Sequence, residues 1–314
     1  MPELMTPEQI AARTSRAVAA ATAAGRDLGL EVTEPTVLYD LFSVVVHLAP
    51  SPVVVRVPTV LMPGSDPEIQ AARQRRELDV VRWLVEQGAP VVPPSPLVPL
   101  EPVRRDGFSM TFWQLVDKTA EPDFVRGARM TADLHATLRE YPGELPFLSS
   151  DEPDAVRAGL TALEGRPDLM DPADLDRAQR EWAVLAPLVG SRERFEAEFP
   201  GVDLQPLHGD APAYNVIVTA DGPLHGDFEL TALGPVEWDL ASFGPECADA
   251  YDEAAQRRGL RRLDQRALRF IEAVGMSRTL MCLALVPQLP SLADLLKPSV
   301  EHWRELPFAG GVTG

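Results

Sequence analysis

His208-Gly209-Asp210-Ala211-Pro212-Ala213-Tyr214-Asn215 sets an acid and an amide five residues apart behind a His-Gly pair. An aspartate directly after glycine suits an acidic base held in a tight loop, and such a loop turns the asparagine back toward the same pocket. A hydroxyl that is to attack needs a carboxylate within hydrogen-bond reach to orient it and take its proton. A second His-Gly-Asp follows at 225–227. Asn215 and Asp227, twelve residues apart across a hairpin, supply the hard oxygens that magnesium takes beside the phosphates of a nucleotide. That combination suits phosphoryl transfer, where the protein contributes position and charge neutralisation more than covalent chemistry.

The elements around this loop divide the chain in two. Thr6-Pro7-Glu8-Gln9 is a capping box with proline at the first helical position, opening a helix to about Gly25. Three Val-rich runs, Thr36–Tyr39, Phe42–Leu48 and Val53–Val57, read as consecutive antiparallel strands. Ser65-Asp66-Pro67-Glu68 is a second capping box, for a helix to Gln87 stopped by Gly88. Pro90–Pro102 reads as an extended connector and edge strand, Arg105-Asp106-Gly107 as a turn, and Phe108–Val116 as an apolar strand. Beyond Asp117 helical periodicity takes over, at Phe124–Tyr141, Asp171–Leu188 and Leu263–Leu285. The strand-like exceptions are Asn215–Val218 and a short one ending near Gly226.

The loop resembles the H-G-D-x-x-x-x-N segment of aminoglycoside phosphotransferases and choline kinases, the counterpart of the protein-kinase catalytic loop. Asp227-Phe228-Glu229 resembles the D-[FWY]-E of that family, Gly234–Ala241 its G-x-x-x-W-D-L-A, and Leu134-His135 its L-H pair. The resemblance implies an α+β, two-lobed protein-kinase-like fold. The N-lobe (1–112) would be a small antiparallel sheet with one main helix and an N-terminal helix. Residues 113–117 would be the hinge, and 118–314 a helical C-lobe with the catalytic loop and acceptor site. The doubled motif then resolves, because Asn215 stands five residues after Asp210 whereas Ala232 stands five after Asp227. Asp210 is the expected catalytic base, and Asn215 and Asp227 the expected magnesium ligands. His208 is expected to support the loop, His135 to be a satisfied helix histidine, and Asp239 to cap a helix from Leu240 while supporting the loop.

A kinase-like N-lobe carries a strand lysine that reaches the nucleotide phosphates and pairs with a helix glutamate. Here the only lysines are Lys118 and Lys297, and Arg56 in Val53–Val57 takes the matching position. Arginine can still pair bidentately with phosphate, though its geometry differs from that of lysine. Glu77 is its expected partner. The turn between the first two strands, Leu38–Ser43, has no glycine to let phosphate approach, which leaves Ser43 as its hydroxyl donor. Trp113, Gln114 and Leu115 would meet the purine edge, with Trp113 equally open to an interlobe-core role. Ammonium contacts with the acceptor are expected from Glu246, Asp249, Asp252 and Glu253, or else these acids form a solvated helix face.

The net charge of −18 opposes nucleic acid or an anionic membrane as partner. The acid excess is concentrated from residue 117 onward, where 34 Asp and Glu face 19 Lys and Arg, and it favours a cationic small molecule. Cys247 and Cys282 are too few for a disulfide framework, and no secretory signal or bilayer-length apolar run is visible, so a cytoplasmic protein is expected. The expected function is a small-molecule kinase using ATP or GTP with Mg2+ on the hydroxyl of a small acceptor, aminoglycoside-like among others. The alternative is a nucleotide-binding pseudokinase acting as a sensor. A protein Ser/Thr kinase is disfavoured because D-F-E replaces D-F-G and no A-P-E follows. The oligomeric state is not legible in the sequence.

Overall fold

Thr6 opens the chain's first helix, α1 (Pro7–Asp27), by the capping box its sequence predicts: its hydroxyl accepts from Gln9 N–H, and Gln9 Oε1 accepts from Thr6 N–H at 2.8 Å. This computed structural model describes residues 3–61, 67–148 and 152–311. The three Val-rich runs form β1 (Val32–Asp40), β2 (Ser43–Pro50) and β3 (Val53–Pro58), antiparallel and in sequence order. β1 is an edge strand, where Pro35 costs no ladder bond inside the sheet. Helix α2 spans Pro67–Glu86, and Gly88 ends it at φ +73°. Of its predicted capping box, Ser65 and Asp66 lie outside the described residues. β4 (Val103–Arg105) and β5 (Phe108–Gln114) close the sheet in the order β1-β2-β3-β5-β4, joined by Asp106 and Gly107, both at positive φ as a two-residue hairpin turn demands.

The Pro90–Pro102 segment departs from expectation. It is a connector, but it makes isolated bridges (Val91 to His225, Pro94 to Trp113) in place of an edge strand. Its prolines remove the N–H groups that a ladder needs.

The helical half contains α3 (Phe124–Leu138), α4 (Glu152–Ala162), α5 (Pro172–Val189) and α6 (Arg192–Glu198). Two small hairpin-like sheets follow, β6 (Leu204–Leu207) with β9 (Ala232–Pro235), and β7 (Val216–Thr219) with β8 (Gly222–His225). Then come α7 (Pro245–Arg257), α8 (Gln265–Met281) and α9 (Leu292–Glu305). The result is the two-lobed kinase-like architecture that the resemblance implied. Asp239 caps no helix at Leu240: residues 236–239 form a 3-10 turn, and α7 starts only after Gly244.

Three packed regions fix the site. The alanine face of α1 (Ala17, Ala20, Ala21, Ala24) packs on Val44, Val46, Val53 and Val55 of the sheet, all nearly fully buried. Each buried valine side chain stabilises by roughly 1.5–3 kcal/mol. Helices α4, α5 and α8 bury the large C-lobe core around Trp182, Phe195 and Phe270. A third cluster joins the halves, with Leu78, Val81 and Leu84 of α2 against Trp113, Leu134, Leu138 and Phe228. The lobes also meet behind the sheet. Met5 N–H donates to Pro287 O (2.8 Å), Arg13 Nη1 to Gln288 O (2.9 Å), and Gln288 Nε2 to Leu61 O (3.2 Å). Among the described residues, no helix is long and apolar enough to cross a membrane.

Candidate active site

Asp210 stands on a loop held from behind by one buried carboxylate. Asp239, 1% exposed, accepts from His208 N–H and Gly209 N–H, each at 2.8 Å, and from His135 Nε2 at 2.9 Å. Burial alone would raise its pKa, but the His135 hydrogen bond and the neighbouring histidines hold the carboxyl below its ordinary range. Since His135 Nε2 donates to Asp239, its Nδ1 accepts from the Tyr251 hydroxyl at 2.9 Å, which satisfies the ring completely. The expectation for His135 therefore holds. Trp238 Nε1 donates to Gly209 O at 2.9 Å. Gly209 has φ +90°, and a Cβ there would lie 1.9 Å from Leu230 O, so only glycine fits.

His208 is 0% exposed; its Nδ1 accepts from Asp210 N–H (3.3 Å), so its Nε2 carries the proton and donates to Gly226 O (2.8 Å). One ring thus ties the loop to the segment carrying Asp227. Asn215 Nδ2 donates to Asp210 O (2.7 Å), and Gly226 N–H donates to Asn215 O (2.8 Å). Asp210, Asn215 and Asp227 are in this way linked through one short network. Burial raises the Asp210 carboxyl above its ordinary range, Arg278 opposes that, and Asp227 adds to it.

Arg56 reaches the same place from β3. Its Nη2 donates to Glu77 Oε2 (2.5 Å), and its Nη1 to Glu229 Oε2 (2.5 Å) and Asp227 Oδ1 (3.0 Å). The predicted pairing with Glu77 is therefore present, and two further acids share the guanidinium. Glu77 is the deepest of the three at 1% exposure, and its other oxygen finds no partner. Burial pushes Glu77 up to about 8 despite Arg56, and the charges of Asp227 and Glu229 add to the rise. Glu229 is kept ionised by Arg56 together with Gln70 Nε2, which donates to it at 2.6 Å, and lies below its usual range although burial opposes this.

The remaining expected residues divide. Ser43 opens β2 opposite Pro58 and joins the group only through its hairpin, whose Tyr39 has its phenol raised by burial and by the charge of Asp227. Trp113 is 9% exposed within the interlobe cluster, and its Nε1 donates to Thr111 Oγ1 (2.9 Å), so the core role is the one present. The N–H groups of Gln114 and Leu115 donate to Pro93 O and Pro52 O, at 3.0 and 3.1 Å. Those two amides are committed inside the protein.

Asp252 must be corrected. It is 7% exposed and accepts from Leu263 N–H (2.8 Å) and Arg262 Nε (3.1 Å), fastening the turn before α8. Glu246, Asp249 and Glu253 lie exposed on α7. Burial raises the Cys247 thiol, and its neighbour Glu246 and the α3 cap Asp123 add to the rise.

Several members of the site have no sequence signal. Tyr214, in the loop itself, is 57% exposed and packs against Phe124 and Phe243, with ring centroids 4.8 and 4.6 Å away. Arg278 of α8 lies 3.9 Å from Asp210 Oδ1, its guanidinium over the Trp238 ring at 5.4 Å. Phe124, Phe243 and Arg278 come from elements remote from the loop in the chain, and spacing cannot reveal them. Glu229 was legible only as the last letter of D-F-E.

Comparison with known proteins gives one family and one fold. The model of the phosphotransferase enzyme family matches residues 43–275. No curated sequence matches the chain. Among solved structures, choline kinase LicA from Streptococcus pneumoniae superposes with a TM-score of 0.59 at 13% identity, over 90% of this chain and 99% of that one. The microcompartment-associated aminopropanol kinase gives 0.59 at 16% identity, over 90% and 94%. The GDP and kanamycin complex of APH(2")-IIia gives 0.56 at 15% identity, over 90% and 98%.

Proposed function

Since this chain belongs to the phosphotransferase enzyme family, we propose that it transfers the γ-phosphoryl group of ATP or GTP to a hydroxyl of a small-molecule acceptor. The observation that carries this reading is the network joining Asp210 to Asn215 and, through His208 and Gly226, to the segment of Asp227. Asp210 would orient the acceptor hydroxyl and accept its proton as the new O–P bond forms. The bridging O–P bond breaks and its electron pair leaves with the nucleoside diphosphate. Asn215 and Asp227 offer an amide oxygen and a carboxylate, the hard donors that suit magnesium. When bound, that ion neutralises charge on the phosphate oxygens.

Arg56, steadied by Glu77, would meet the phosphates, with the N-lobe ending near 112 and 113–117 as hinge. The acceptor side carries the aromatic group of Phe124, Tyr214 and Phe243 beside Glu246, which supports an acceptor with a cationic, partly apolar face. The test is a nucleotide-consumption screen over hydroxylated amines, sugars and aminoglycosides with Asp210→Asn alongside. Turnover should be magnesium-dependent and fall by about 10²–10⁴-fold in the variant. Equal silence of both proteins, with nucleotide still bound, would favour the pseudokinase.

A further inference from the structure

Phosphoryl transfer concentrates negative charge where Asp210 already stands. The loop segment between Asp210 and Asn215 is Ala-Pro-Ala-Tyr and brings no cation. Asp227, Glu229 and Glu77 crowd the nucleotide side, and Arg56 is engaged with all three. Among the described residues the guanidinium of Arg278 stands against Asp210. It projects from α8 toward Asp210, 24% exposed, with Nη2 3.9 Å from Oδ1. At that separation the two attract without sharing a hydrogen bond. An oxygen entering between them would lie within reach of both side chains.

Its platform makes the position definite. The guanidinium lies over Trp238, a ring 7% exposed whose Nε1 donates to Gly209 O, the residue directly before Asp210. Arg278 is thus registered to the catalytic loop through a buried indole.

We propose that Arg278 is a catalytic residue that donates to the transferred phosphoryl group in the transition state, an arginine finger supplied in cis from α8. The proposal rests on the phosphotransferase reading above. As the acceptor oxygen bonds to phosphorus and the bond to the diphosphate breaks, charge spreads over the equatorial phosphoryl oxygens, where a planar guanidinium binds best. The acceptor proton still goes to Asp210 and the electron pair still leaves with the diphosphate. A cationic acceptor is compatible with this role, because the guanidinium faces the phosphoryl group and the aromatic shelf faces the acceptor.

The experiment uses the full chain with magnesium and two probes: nucleoside triphosphate with water as acceptor, and nucleoside diphosphate with aluminium fluoride as a mimic of the transferred group. Arg278→Ala should lower turnover by about 10³-fold, while triphosphate affinity changes less than about threefold, a shift under 1 kcal/mol. It should also abolish the tight fluoride complex, measured by calorimetry, and Arg278→Lys should restore part of both. Arg269→Ala removes the same charge from an exposed position of the same helix and should change neither. Should Arg278→Ala fail to fold, Arg278→Gln carries the same comparison. Unchanged turnover, an intact fluoride complex, or triphosphate binding lost in proportion to turnover would each overturn the assignment. If the wild-type chain neither hydrolyses nucleotide nor forms the fluoride complex, the phosphotransferase reading itself falls, an outcome separable from failure of the variant alone.

Discussion

At Gly209 two constraints coincide: a left-handed φ, and a neighbouring carbonyl where a Cβ would stand. Either one alone would allow some relaxation. Together they oblige the loop to move, and the loop also carries Asp210, while Gly209 donates its N–H to Asp239 and accepts from Trp238. Gly209→Ala should therefore cost at least about 3 kcal/mol of stability, at the severe end for a point substitution. Chemical denaturation measures it, and a cost under 1 kcal/mol would show the loop to be looser than described. The same reasoning explains why the local letters of the site were readable. Gly209, Asp210 and Asn215 answer to one turn and so have fixed spacing. Arg278 and Phe243 answer only to packing between distant elements, and the sequence carries no trace of their approach.

Elements were legible where their own periodicity or caps dictate them. The Thr6 box, the Val-rich strands and the Gly88 stop all have local causes, and each formed. β6 and β9, four residues each, exist because Leu204–Leu207 pairs with Ala232–Pro235 across the catalytic segment, a long-range contact invisible to a window scan. The prolines at 90–102 erased a predicted strand for a reason of equal simplicity, their missing donors.

Strand β8 carries a further consequence. Its His225 is 1% exposed, and its ring nitrogens lie near the main-chain oxygens of Pro212 and Met130 without reaching hydrogen-bond geometry. Burial is the main cause that pushes it down to about 3, and the neighbouring His208 adds to it. A folded pKa below the unfolded value of about 6.5 means that unfolding takes up a proton. The stabilising contribution is complete above about pH 6.5 and is lost as pH falls toward 3, at up to about 1.4 kcal/mol per pH unit. His225→Leu should remove that slope. Unfolding free energies of both proteins between pH 4 and 7 decide it, and parallel curves would refute the assignment.

Besides Arg56, which holds Asp227 and Glu229, two further ties join the halves of the molecule. One tie is the chain and cluster around Trp113; the other is the N-terminal helix, through Met5 and Arg13, to residues 287 and 288. Arg13 is 5% exposed, and two of its nitrogens find no partner, so its one bond to Gln288 O anchors a costly side chain. Arg13→Ala should leave the global fold intact and speed hydrogen exchange at Met5 N–H, which is bonded to Pro287 O. Unchanged exchange there would mean that the rear contact does not depend on this arginine.

A door hung on a single pin can swing in any direction; one hung on two pins turns only about the line between them. Pinned at the Trp113 cluster and at the start of α1, and bolted between them by Arg56 to Asp227 and Glu229, the sheet half cannot turn without breaking one of these contacts.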